Sequence, residues 1–373
     1  MIRILHVVGT MDLGGIETFL MNVYRNIDRS KVQFDFLCHN RIEAAYTDEI
    51  KKLGGRMFCV KGISHVGLFQ YQKSLFVFFR RHPEYRVVHA HQNDLNGIIL
   101  CQAKRAGIPN RYSHSHTVYT GKRLSYKVRV WYFKTLVNKN CTRAFACSIP
   151  AGEQLYTGDL RKDFIIINNG VDTKRFRFDA FEREKIRMNM SLGDGPVIGH
   201  VGRFSSEKNH VFILECFKSF LQMNSNAKLL LIGTGELEES MIGKAKSMGI
   251  RESVLFLGKR TDVNSLMSAM DLFLFPSISE GLPVSLIEAQ TSGLSILVSD
   301  TVSNDIDLTD LVVHKPLTES AHVWAMKMSS MLENSHDKDR KAYSELIKKK
   351  GFDSKSVADD LCSLYICDHN SSN

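Results

Sequence analysis

Two doubly wound α/β domains are what this 373-residue sequence predicts, on three observations. Short, β-branched, apolar runs alternate with amphipathic stretches from end to end, as parallel strands covered by helices on both faces require. The alternation runs twice, with a charged stretch of no clear period at about 171–195 between the two series. The length suffices for two domains of ordinary size.

In the first series the strand-like runs are 2–8, 32–37, 57–60, 87–89, 144–147 and 164–167, with a helix at 17–25 after the first run. The opening run has no basic head, long apolar core or cleavage site, so it reads as a buried strand and not as a secretion signal. In the second series the runs are 197–201, 228–232, 254–257, 272–275 and 296–298, with helices at 211–223, 237–248 and 262–270. Helices at 318–333 and 337–350 follow. Gly351 breaks the pattern, and an amphipathic helix at 354–366 precedes a polar tail. The expected division is a domain over 1–172, a linker over 173–195 and a domain over 196–351. Ligands of open α/β sheets bind beyond the carboxyl ends of the strands.

Composition narrows the class. Hydrophobic content of 43% and charged content of 24% suit a globular chain, and no run of eighteen apolar residues predicts a transmembrane helix. Eight cysteines include no C-x-x-C pair and several sit in apolar runs, which predicts reduced core thiols and a cytoplasmic setting. A formal net charge of +9 favours an anionic partner: a nucleotide, a nucleic acid or an acidic membrane surface.

The most informative motif is Glu280-Gly281-Leu282-Pro283 running on to Glu288, directly after the apolar run 271–276. Strand, tight turn and helix start aim backbone N–H groups and a helix dipole at one point, which suits a phosphate. Pro283 fits a first helical position. Two carboxylates framing such a turn suit a phosphorylated, hydroxyl-rich ligand, and a nucleotide sugar has that form. A glycosidase pair is the other reading, but its carboxylates must flank a bond across an open pocket.

Four further features bear on the site. Gly14-Gly15-Ile16-Glu17-Thr18 follows the first strand and reads as an anion-approaching turn or as an ordinary strand–helix turn. Arg203 and Lys208 lie in the loop after strand 197–201, where they suit phosphate oxygens; a solvated basic loop is the alternative. Gly233-Thr234-Gly235, between a strand and a helix, resembles part of a dinucleotide site, but a lone Gly-x-Gly fits close backbone packing beside a nucleotide better. His89 and His91, and His114 and His116, form two H-x-H pairs; without a completing ligand set, hydrogen-bonding histidines fit better than zinc, and no metal is expected. Asp305-Ile306-Asp307 and Asp337-Lys338-Asp339 match D-x-D only literally. The basic, aromatic segment 121–134, with Trp131, Tyr132 and Phe133, suits an acidic membrane interface or an ordinary half-buried helix.

Together these motifs resemble the retaining GT-B-fold glycosyltransferases of family GT4 over most of the chain. Glu280 and Glu288 match its E-x7-E motif, and Gly14-Gly15-Ile16-Glu17 its amino-terminal glycine loop. Asn169-Gly170-Val171-Asp172 through Phe176 matches the interdomain segment, and Gly202-Arg203-Phe204, Glu207-Lys208-Asn209 and Leu231 to Glu236 match in order and spacing. Ser299-Asp300-Thr301 through Thr309 is similar to a stretch of bacterial capsular and exopolysaccharide transferases. Asp305 stands there in place of the usual Glu, and Ser295 in place of the usual Pro.

The resemblance implies two Rossmann-like domains facing a cleft, with the helix at 352–368 completing the first. It implies a nucleotide-diphosphate sugar as co-substrate, no cofactor and no metal. Arg203 and Lys208 would hold the diphosphate, Glu288 the ribose diol and Glu280 the sugar hydroxyls. The backbone of Gly281, Leu282 and Pro283 would lie near the phosphates, with Gly202 and Gly233 beside the nucleotide. Gly14 and Gly15 would approach the diphosphate, and His116 the sugar. The expected activity is retaining sugar transfer to a hydroxyl of a saccharide or lipid-linked saccharide, in the cytoplasm or at the inner face of the plasma membrane, without nucleic acid. A nucleotide-sugar epimerase, a nucleic-acid-binding protein and an inactive sugar-nucleotide sensor are the competing readings.

Overall fold

The computed structural model describes residues 1–39, 42–116, 124–280, 282–334 and 339–371, with backbone alone at 124–129 and 371. These residues form two compact units: Met1–Gly170 together with Ser354–Asn373, and Val171–Asp353.

In the first unit, β1 (Ile2–Val7), β2 (Val32–His39), β3 (Met57–Val60), β4 (Val87–Ala90), β5 (Asn110–Ser115), β6 (Arg143–Ala146) and β7 (Ile165–Ile166) form one parallel sheet in the order β3-β2-β1-β4-β5-β6-β7. In the second, β8 (Val197–Val201), β9 (Lys228–Ile232), β10 (Val254–Phe256), β11 (Leu272–Phe275), β12 (Ser295–Ser299) and β13 (Val312–Lys315) follow the order β10-β9-β8-β11-β12-β13. Both sheets are doubly wound, and strand order reverses between β1 and β4 and between β8 and β11.

Each sheet buries both faces. On one face of the first, the helix Gly15–Asn26 packs Phe19, Leu20 and Val23 with Phe34 and Phe36. The helix Ser354–Ser371 adds Val357, Ala358, Leu361 and Tyr365 to the same cluster. On the other face, Tyr71 and Leu75 of the helix Ile63–Arg81 and Ile98 to Leu100 of the helix Asn96–Arg105 cover Leu5, Val7 and Val88. In the second unit Ile198, Leu229, Leu231, Leu272 and Leu274 pack with Phe217 and Trp324.

Two features differ from the sequence expectation. The stretch expected to link the domains carries the helix Ala180–Asn189, capped by the Asp179 carboxylate, which accepts from the N–H groups of Phe181 and Glu182. Arg183 and Arg187 of this helix pair with Asp271 at 2.6 and 2.5 Å, so the stretch is built into the second unit. Strands β5 and β13 lie outside the expected runs. β5 reads Asn, Arg, Tyr, Ser, His, Ser, yet four of its last five residues are fully buried or nearly so. Polar side chains that hydrogen-bond inside the fold hide the strand from a hydrophobicity pattern.

Candidate functional site

Strands β8 and β11 are parallel neighbours, so the loops that follow them leave from the same edge of the sheet. The β8 loop carries Gly202, Arg203 and Lys208, and the β11 loop carries Glu280. The loops are tied together: the Ile278 N–H donates to the Glu207 carbonyl at 2.7 Å, and Asn209 Nδ2 donates to the Pro276 carbonyl at 3.2 Å. The Lys208 ammonium therefore lies 2.6 Å from Glu280 Oε1, with both side chains largely withdrawn from water. It also sits over the Phe275 ring, 4.7 Å from the centroid. An ammonium has three N–H donors, so pairing with Glu280 leaves two for another anion. Arg203, in the same loop, is exposed.

Beyond Glu280 the chain enters the helix Val284–Thr291, with Pro283 at the N-cap, one position earlier than expected. Among the described residues no side chain caps this start, so the first backbone N–H groups point out of the helix without an intrahelical partner. Leu282 is buried; Gly281 lies outside the described residues. Glu288 is a turn into the helix and 8% exposed. Burial pushes its carboxyl up to about 7, against the downward pull of Arg175.

Two contributors to this site were missed by sequence reasoning. Ser299 Oγ and Thr301 Oγ1 both donate to the Ser277 carbonyl, at 2.5 and 2.7 Å. The Ser-Asp-Thr stretch, noted only as a resemblance, thus anchors the approach to Glu280. Arg175 donates to the Thr261 carbonyl and to Asn264 Oδ1 and contributes the positive potential felt by Glu288. Its only signal was a basic pair, Lys174-Arg175, in the segment 168–176. Asp305 is exposed, and Asp307 pairs with His314 at 2.8 Å.

The glycines of the second unit are explained by backbone crowding. Gly233 has a φ of +138°, and a Cβ there would collide with the Gly202 carbonyl oxygen. The two loops are stitched by Gly202 N–H to Ile232 O at 3.0 Å, Phe204 N–H to Thr234 O at 3.1 Å and Leu237 N–H to Phe204 O at 3.1 Å. A Cβ on Gly202 would meet His200 Nε2 at 2.8 Å and Lys208 Cδ at 3.2 Å, so its absence clears the path of the lysine side chain.

In the first unit, Gly14 is the N-cap of the helix Gly15–Asn26. The space beside Gly15 is open, whereas a Cβ on Gly14 would run into the Glu17 carboxylate. His116 follows β5 at the carboxyl end of the sheet, 7% exposed. Its N–H donates to Asn93 Oδ1 at 3.0 Å, and its ring lies 5.7 Å from Phe19 and 4.0 Å from His114. His6, His89, His91, His114 and His116 share one buried layer. His6 Nδ1 is 3.0 Å from His91 Nε2, and His91 Nδ1 is 2.9 Å from His116 Nε2. His89 Nδ1 meets the Tyr365 hydroxyl at 2.7 Å. Burial lowers His6 and His116 to about 3 and the other three well below the ordinary value, so all five are neutral near pH 7.

His6, His89 and His91, and His91, His114 and His116, each bring ring nitrogens within 4.8 Å of one another. The register of β1 against β4 adds His6 to the H-x-H pairs, a third ligand that spacing alone does not reveal. In each group one hydrogen bond joins two of the three rings, His6 to His91 in the first and His91 to His116 in the second. The segment 121–134 lies in part outside the described residues; within it Trp131 is 68% and Tyr132 48% exposed, while Phe133 is buried. No helix among the described residues is long and apolar enough to cross a membrane.

Known proteins match this chain along both units. The family model for glycosyl transferases group 1 matches residues 182–350, and that for glycosyltransferase family 4 matches residues 13–175. The chain is 33% identical over 370 residues to "Putative glycosyltransferase EpsF" of Bacillus subtilis (strain 168), covering 97% of this chain and 96% of that protein. It is 24% identical over 317 residues to the Escherichia coli UDP-Gal:alpha-D-GlcNAc-diphosphoundecaprenol alpha-1,3-galactosyltransferase, covering 82% and 81%. The crystal structure of Anabaena Alr3699/HepE in complex with UDP-glucose shares its fold, with a TM-score of 0.81 at 16% identity over 98% of this chain and 100% of that one. Two Rossmann-like units of the GT-B type, both family matches and a relative one-third identical along nearly the whole length place the chain in glycosyltransferase family 4, and it is a glycosyltransferase.

Proposed function

We propose that this enzyme transfers a sugar, with retention at the anomeric carbon, from a nucleotide-diphosphate sugar to a hydroxyl of a lipid-linked saccharide in bacterial surface polysaccharide synthesis. The observation that carries the donor reading is the Lys208–Glu280 pair at 2.6 Å, beside an uncapped helix start that leads to buried Glu288. The two unused N–H groups of Lys208, the Arg203 guanidinium and the helix start bind the diphosphate. The Gly281, Leu282 and Pro283 backbone lies along it, with Gly202 and Gly233 keeping the floor of the site flat. Glu288 accepts from the ribose diol and Glu280 from a sugar hydroxyl.

Residues 196–351 therefore bind the donor, and residues 1–172 with the carboxyl-terminal helix serve the acceptor. There, Gly14 and Gly15 supply helix-start N–H groups and His116 hydrogen-bonds a sugar hydroxyl. As the glycosidic bond to the diphosphate breaks, its electrons pass to the leaving oxygen, and the acceptor oxygen bonds to the anomeric carbon from the same face. A leaving phosphate oxygen takes the acceptor proton. Lys208, Arg203 and the helix dipole neutralise the departing charge, a role that needs no metal ion. The E. coli relative's name pairs a UDP-sugar with a diphosphoundecaprenol acceptor, which supports the same classes here. Exposed Trp131 and Tyr132 support peripheral contact with the cytoplasmic membrane face, where such acceptors reside.

Lys208→Ala is expected to lower kcat by on the order of 10²–10³ with the fold retained by circular dichroism. Near-normal turnover removes Lys208 from this role. Thermal stabilisation across a panel of nucleotide sugars identifies the donor.

A further inference from the structure

His6, His91 and His116 come from three neighbouring strands or their ends and form a continuous chain of ring-to-ring hydrogen bonds. Each ring is neutral and carries one N–H, so two proton arrangements satisfy both bonds. In one, His6 Nδ1–H donates to His91 Nε2, His91 Nδ1–H donates to His116 Nε2, and His116 bears its proton on Nδ1. In the other, every donor reverses and His116 Nδ1 is a bare lone pair.

The inner end decides between them. His6 is 1% exposed and its Nε2 has no hydrogen-bond partner among the described residues. The first arrangement leaves a lone pair there, and the second a buried N–H. Buried N–H groups without partners are rarer than under-satisfied acceptors, which favours the first arrangement. His114, whose two ring nitrogens both lack partners among the described residues, has no such choice; His6 has one.

We propose that His6 and His91 are positioning residues that lock His116 as the Nδ1–H tautomer, so that it faces its sugar ligand as a fixed hydrogen-bond donor and not as a base. The role in sugar binding rests on the function proposed above; the lock does not. Asn93 holds the backbone of the working end through the His116 N–H. Asn93 has a φ of +50°, an uncommon conformation for a residue other than glycine, which is kept where the surroundings demand it.

The lock is read directly by long-range ¹H–¹⁵N correlation of the histidine rings in the ¹⁵N-labelled full chain, with His116 assigned by the signals lost in His116→Gln. His116 is expected to show a protonated Nδ1 and a pyridine-type Nε2 from pH 6 to 8. A protonated Nε2 overturns the proposal without any variant having to fold. In His91→Phe, His116 should relax toward the tautomer mixture of free imidazole, with kcat falling roughly tenfold. A fall in kcat with the His116 tautomer unchanged also overturns the lock. His116→Asn places an amide N–H where Nδ1–H stood, so it should keep most activity and make turnover insensitive to His91→Phe. If the tautomer is as expected but both His116 variants turn over normally, the lock stands and the sugar-binding role of His116 falls.

Discussion

Glu288 is a carboxyl group kept at a cost to stability. Its folded value of about 7 lies above the unfolded value near 4.5, so between these limits the folded chain holds a proton that the unfolded chain has released. Stability from this group is therefore greatest below pH 4.5, falls as pH rises to about 7 and stays lower above it. The displacement corresponds to about 3 kcal/mol. Glu288→Gln should match the parent at pH 4 and exceed its stability by about that amount at pH 8, as denaturant titrations at the two values will show. On the ribose role proposed for Glu288, the same substitution should weaken donor binding, because an ionised carboxylate is the stronger hydrogen-bond acceptor. For the parent enzyme, affinity for a nucleotide-diphosphate sugar, whose phosphates do not titrate in this range, should fall up to tenfold per pH unit below about 7. Isothermal titration calorimetry at pH 6, 7 and 8 tests this, and a flat profile removes Glu288 from ribose recognition.

Among the elements, the loop after β9 is the support on which the Arg203–Lys208 loop lies. Gly233→Ala forces both a left-handed backbone onto alanine and a Cβ into the Gly202 carbonyl, and should cost about 2 kcal/mol or more together with a loss of turnover. Gly243→Ala, in the helix Glu238–Ser247 with open space around it, should instead stabilise by about 0.5–1 kcal/mol. Paired thermal denaturation and kinetic measurements on the two variants separate a crowded glycine from a merely flexible one. The strand runs at 57–60, 197–201, 228–232 and 272–275 were legible to the residue because they are almost wholly apolar, with His200 and Lys228 the exceptions. The helix Ala180–Asn189 was not, since its exposed surface is charged and it buries Ile186 alone. The Lys208 and Glu280 loops were legible as motifs, but their pairing depends on β8 lying beside β11, which no local spacing encodes. The histidine chain was half legible: two H-x-H pairs mark one face of each strand, whereas His6 joins them through register across 85 residues.

For the molecule as a whole, the first unit is not contiguous in sequence. Tyr365, Leu361 and Val357 enter its core from the far end of the chain, and Asp368 binds Arg143 at 2.6 Å and the Tyr112 hydroxyl. A chain ending at Asp353 should keep the second unit's cooperative unfolding and its stabilisation by nucleotide while losing amide protection across β1, β2 and the helix Gly15–Asn26. Hydrogen-exchange mass spectrometry resolves the two halves, and retained protection in β1 would show that the last helix is dispensable.

That returning helix also sets an order of events at the ribosome. The second unit has every residue it needs once position 353 has emerged, whereas the first, although begun earliest, must wait with Phe34, Phe36 and the histidine layer uncovered. The sheet synthesised first is therefore the last to close, and the exposed interval falls on the nascent chain's oldest segment. A chain that stops short of Val357 loses Val357, Leu361 and Tyr365 from the first unit's core while sparing the second unit, so quality control would meet a product with one finished half and one uncovered sheet.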